Sequence, residues 1–126
     1  MTTWNLNGTN SHVLICNGSS CMRKGGEEVT QAIRDEISHL NLDGLIHTTR
    51  TRCNGRCKDA CVVIVYPEGT WYKAVTPAIG RKIVQKCMKP EMELQESVLY
   101  QYDFEKFIKV NEQSISGIEK PVKIGG

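Results

Sequence analysis

Six cysteines occur among the 126 residues, and four of them form two close pairs. Cys16 and Cys21 are separated by Asn17-Gly18-Ser19-Ser20, and Cys53 and Cys57 by Asn54-Gly55-Arg56. Each pair straddles a polar turn at the end of an apolar stretch. Two turns of this kind suit a [2Fe–2S] cluster: two thiolates meet each iron, and the loops wrap the bridging sulfides and present backbone N–H groups to sulfur. Gly18 and Gly55 allow close backbone approach with no Cβ in the way. Four thiolates also suit structural zinc, although zinc knuckles more often use shorter CxxC spacings. A zinc-binding interaction module therefore stands as the alternative. A thiol redox enzyme fits less well, because no CxxC opens a helix, the setting that lowers a thiol pKa.

The remaining chemistry-bearing residues are scattered. Cys61 lies four positions beyond Cys57 and opens an apolar run, which reads as a buried thiol near the site; an alternate ligand is the competing reading. Cys87 shares a helical stripe with Ile83 and reads as a small core residue. His12, His39 and His47 have no metal-ligand spacing. Arg50, Arg52, Arg56 and Lys58 flank the second cysteine pair with Asp59 as the one acid nearby in sequence, and Arg23 and Lys24 follow the first pair. Such cations favour added negative charge on a cluster, or orient an acidic protein partner, or simply solvate the turns.

The elements that would carry these residues follow from periodicity. His12 to Ile15 is a short apolar strand ending at Cys16, followed by a turn over residues 17–20. Val29, Ala32, Ile33, Ile37 and Leu40 mark one face of a helix over residues 27–40, with Glu27 and Glu28 suited to its N-terminal dipole. Leu45 through Thr51 favours a second strand, interrupted by the turn at residues 53–57. Cys61 to Tyr66 is the strongest strand signal; Pro67-Glu68-Gly69 turns it into a hairpin partner over residues 70–75. Trp71, Tyr72 and Tyr66 belong to that hairpin and read as packing or partner surface. Thr76-Pro77 reads as an N-cap and first helical residue, and that helix should stop before Pro90. The order strand, helix, strand, hairpin, helix is a small α/β layer with a mixed sheet. Residues 91–112 are rich in Glu and Asp and read as an acidic amphipathic helix or an appended strand.

Composition limits the function. Lys and Arg number 16 against 14 Asp and Glu, a formal charge of +2, so there is no strongly basic footprint for nucleic acid. No apolar run approaches the roughly 20 residues of a membrane span. No basic segment followed by a long apolar run opens the chain, so a cytoplasmic location with reduced cysteines is expected. Neither a phosphate loop nor a localised serine–histidine–acid motif is present.

The motifs VLICNGSSC at residues 13–21 and CNGRC at residues 53–57, in this element order, resemble the thioredoxin-like [2Fe–2S] ferredoxin family. That family also includes the small cluster-bearing subunit of NADH–quinone oxidoreductase. The resemblance implies a thioredoxin-like fold with a small mixed sheet flanked by helices. It implies one [2Fe–2S] cluster, with Cys16 and Cys21 on one iron and Cys53 and Cys57 on the other. It further implies one-electron transfer between a donor and an acceptor protein, no catalysis of its own, and a homodimer, the state free ferredoxins of the family often adopt. The four-residue gap in the first pair is closer to the reductase-subunit pattern than to the longer gap of some free ferredoxins. SCMRKGGEEV at residues 20–29 is similar to ferredoxin-like proteins associated with anaerobic cobalamin biosynthesis. The expected organisation is a flexible lead over 1–11, a cluster domain over 12–88, and an acidic extension over 89–126 with a weakly ordered end. Metal and sulfide analysis after anaerobic purification separates the alternatives. Two irons and two sulfides per chain with broad sulfur-to-iron absorption are expected; zinc without sulfide would reject the cluster.

Overall fold

Strand β1, Ser11–Cys16, alternates cleanly. Val13 and Ile15 are fully buried, and His12 and Leu14, on the opposite face, are only partly so. This computed structural model describes residues 3–111 and 117–120. Strand β2, Ile46–Thr51, lies parallel to β1, with Ser11 opposite Ile46 and Cys16 opposite Thr51. A parallel pair requires a crossover, supplied by the short helix α1, Ser19–Arg23, and the longer α2, Gly26–His39. Strand β3, Val63–Tyr66, runs antiparallel to the other edge of β1, and β4, Thr70–Tyr72, pairs with β3. Helix α3, Pro77–Met88, is capped by the Thr76 hydroxyl, which accepts from the Ile79 N–H at 3.2 Å.

The core lies between the sheet and the α2–α3 pair. Val29, Ile33 and Ile37 of α2 and Ile83 and Val84 of α3 are buried with Val13, Ile15, Val63, Val65 and Tyr72. Gly80 lets α3 approach α2: a Cβ there would lie 3.0 Å from Ile33 Cγ1 and 3.6 Å from Val29 Cγ1.

The expected α/β layer with a mixed, helix-flanked sheet is the one observed, with several local differences. Residues 19–23 are a helical turn rather than part of a loop, so Cys21 is carried on α1. The strand expected from Cys61 begins at Val63, and the hairpin partner ends at Tyr72. Between residues 91 and 112 the strand alternative holds. Strand β5, Val98–Asp103, pairs with β4, and β6, Lys106–Lys109, pairs with β5. The sheet thus has six strands in the order β2-β1-β3-β4-β5-β6. Sequence reasoning could not choose here because the four-residue period of Leu94, Val98 and Tyr102 suits a helix, while pairing to β4 is non-local. Of the segments expected to be flexible or weakly ordered, residues 1–2, 113–116 and 121–126 lie outside the described residues, and β1 already begins at Ser11. Gly80→Val should lower the free energy of unfolding by about 1–3 kcal/mol through overpacking against Ile33. A lowered urea midpoint at equal cluster occupancy is the measurement.

Candidate metal centre

Because β1 and β2 are parallel, the loops that follow them leave from the same end of the sheet. Cys16 closes β1, and its N–H donates to the Val62 carbonyl at 3.0 Å. Asn17 N–H donates to the Thr51 carbonyl at 2.8 Å, tying the first loop to the end of β2. Cys53 follows two residues after Thr51, and Cys57 opens a 3₁₀ turn, Cys57–Asp59. One small cleft is lined by Cys16, Cys21, Cys53 and Cys57 together with Asn54 and Arg56. The two loops touch at Gly18, where a Cβ would lie 2.8 Å from Cys53 Cα.

The thiols are paired. Cys53 and Cys57 sulfurs are 3.4 Å apart and exposed. Cys16 and Cys21 are both buried and close enough to perturb each other's ionisation. Among the described residues, no three His, Cys, Asp or Glu side chains converge on the position of a single metal ion.

Hydrogen bonding to the sulfurs fits anionic ligands. Gly55 N–H donates to Cys53 Sγ at 3.3 Å. Burial opposes ionisation of Cys16, but hydrogen bonds from the Gly18 backbone, from Cys21 and from Asn54 outweigh it and hold this thiol below its usual value. Cys21 is pushed up to about 12 by burial, against the Val62 N–H, and further by Cys16. Without metal the buried pair thus retains a proton, and metal binding must displace it. The chemistry of the donor set and the Gly18 contact both accommodate a cluster.

The neighbours divide differently from their order in the sequence. Cys61 is buried and its thiol points to the Cys21 and Lys24 carbonyls, at 3.4 and 3.3 Å, so it supports the first loop from behind. Burial raises its pKa. Cys87 is half-buried on α3, against the core. His12 and His47 sit opposite each other across β1 and β2, with ring centroids 5.1 Å apart, and His12 contacts the Thr49 hydroxyl at 2.7 Å. Neither lines the cysteine cleft. The cationic cluster expected around the second pair is partly neutralised. Arg50 is paired with Glu27 of α2 at 2.7 Å, a partner far away in sequence. Arg56 is paired with Asp59, also at 2.7 Å, with both side chains nearly buried. Arg52, Lys58, Arg23 and Lys24 are exposed. Sequence reasoning passed over Asn54 and Tyr100. Asn54 gave a signal in its place between two cysteines, whereas Tyr100 reaches Arg56 only through sheet pairing.

The sequence model for the thioredoxin-like [2Fe-2S] ferredoxins matches residues 3–88. This chain belongs to that family. A Priestia megaterium protein provisionally named a 2Fe-2S ferredoxin is 60% identical over 121 residues, 95% of this chain and 94% of the relative. A 2Fe-2S ferredoxin of Aquifex aeolicus is 35% identical over 89 residues, 62% of this chain and 78% of the relative. The solved structure of a thioredoxin-like [2Fe-2S] ferredoxin from the same organism superposes with a TM-score of 0.66 at 29% identity. The match covers 75% of this chain and 94% of that one. Membership makes this ferredoxin a [2Fe–2S] protein and an electron carrier rather than an enzyme, which removes the zinc and thiol-enzyme alternatives. Among the described residues no helix is long and apolar enough to cross a membrane.

The contact between loops generates a test. Gly18→Ala should reduce iron per chain, because its Cβ cannot fit against Cys53. Gly44→Ala, where a Cβ meets nothing within 4 Å, should leave iron content at the parent level. Equal iron content in the two variants would mean that the Gly18 contact does not shape the site.

Proposed function

We propose that Cys16 and Cys21 ligate one iron of the cluster and Cys53 and Cys57 the other. The observation that carries this reading is the single cleft lined by all four thiols. When bound, the cluster takes up and releases one electron at a time. The chain's own residues prepare the place for it. N–H groups of Gly18 and Gly55 offset negative charge at Cys16 and Cys53. Val62 forms part of the cleft wall, and Gly18 brings the two loops into contact across it.

Donor and acceptor proteins dock on the side of Cys53 and Cys57, the exposed pair. Arg52 and Lys58, next to those cysteines in the chain, are exposed and suit a partner with an acidic face, so salt should slow the encounter. The chain serves a reductase or the anaerobic synthesis of cobalamin. Support for the reductase is the four-residue spacing of Cys16 and Cys21, and support for the cobalamin pathway is the similarity of residues 20–29. A homodimer and a cytoplasmic location complete the proposal. The dimer rests on the habit of free ferredoxins in the family, and the location on the need to keep the ligand thiols reduced.

Single serine replacements test the ligand set. Cys16→Ser, Cys21→Ser, Cys53→Ser and Cys57→Ser should each lose cluster or change its visible spectrum. Cys61→Ser and Cys87→Ser should retain the parent iron and sulfide content. An essential Cys61 beside a dispensable Cys57 would overturn the second pair.

A further inference from the structure

Arg56 stands between two ligand candidates, yet its side chain turns inward. Its guanidinium carbon lies 5.5 Å from the centroid of the Tyr100 ring on β5. Arg56 Nε donates to Asp59 Oδ2 at 2.7 Å, and only 10% of the Arg56 side chain and 6% of that of Asp59 is exposed. Gly117 approaches the same group so closely that a Cβ there would lie 3.0 Å from Nη1. Arg56 also lines the cysteine cleft. Tyr100 and Gly117 both lie beyond residue 88, where the match to the family ends.

We propose that Tyr100 and Asp59 clamp Arg56, so that the C-terminal strands hold a buried ion pair with its cationic end, the Arg56 guanidinium, lining the cysteine cleft and its Asp59 end outside it, and thereby tune the reduction potential. The inference rests on the four-cysteine reading above. Three features favour a tuning role over simple packing. A guanidinium over an aromatic face is held by the ring quadrupole and sheltered from water on that side. Burial reduces the screening that would cancel an exposed charge. The Asp59 carboxylate fixes the orientation, and its backbone carbonyl accepts from the Ala74 N–H at 2.8 Å, tying the turn to the end of β4. Trp71 of β4 supports the Tyr100 ring edge-on, with centroids 5.9 Å apart. Tyr100 and Asp59 are thus positioning residues for the Arg56 guanidinium.

The test compares the midpoint potentials of cluster-loaded variants, with iron and sulfide content measured alongside. Arg56→Gln removes a positive charge and should shift the potential down. Asp59→Asn removes a negative charge and should shift it up. Tyr100→Leu opens the ring side of the guanidinium to water and should shift it down, while Tyr100→Phe retains the ring and should match the parent. Shifts of Arg56→Gln and Asp59→Asn in the same direction, or none in either, would overturn the proposal. So would identical potentials for Tyr100→Phe and Tyr100→Leu. If Asp59→Asn fails to hold the cluster, Arg56→Lys decides: a potential close to the parent and above Arg56→Gln supports the charge, and equality with Arg56→Gln overturns it. Unchanged iron and sulfide content together with an unchanged visible spectrum in Cys53→Ser and Cys57→Ser would instead sink the ligand reading beneath it.

Discussion

The parallel pairing of β1 with β2 is the constraint on which the centre depends. Parallel strands end on the same side of a sheet, so the loop after Cys16 and the loop after Thr51 must leave together. An antiparallel pairing would have sent the second cysteine pair to the opposite end of the strands. The backbone bond from Asn17 to Thr51 and the Gly18–Cys53 approach then fix the spacing of the two loops. Helix α2 supplies the crossover that parallel pairing needs, and its apolar face, packed beside α3, anchors the crossover to the core.

The two thiol pairs of the cleft differ in environment. Cys16 and Cys21 sit against the core, next to the buried Cys61 and Val62, while Cys53 and Cys57 face solvent. Burial penalises charge on the inner thiols, and backbone N–H groups offset part of that penalty. An electron carrier uses such asymmetry well: one side is held rigid and dry, and the other remains within reach of a partner. The charges around it are also less positive than a count along the chain implies, since Glu27 and Asp59 neutralise Arg50 and Arg56.

Beyond residue 88 the chain extends the same sheet. Strand β5 adds its backbone to β4, so the open edge of the sheet moves outward to β6. The aromatic contacts of Trp71 with Tyr100 and Phe107 bind β5 and β6 to the β3–β4 hairpin. This placement connects a segment outside the family match to the turn between Cys53 and Cys57.

Spacing and residue type determined a good deal on their own. Two cysteine pairs around glycine-bearing turns marked the metal chemistry. The periodicity of α2, the Thr76-Pro77 start of α3 and the apolar run into β3 marked the elements, because each is a local signal. Tertiary structure decided what depends on distance along the chain. It put Glu27 on Arg50, faced His12 with His47, turned the Cys61 thiol to carbonyls of the first loop, and chose strand over helix for Val98–Asp103. None of these has a local signature. Each arises from the register of strands or the crossing of a helix over the sheet, and register is set by the whole buried face at once.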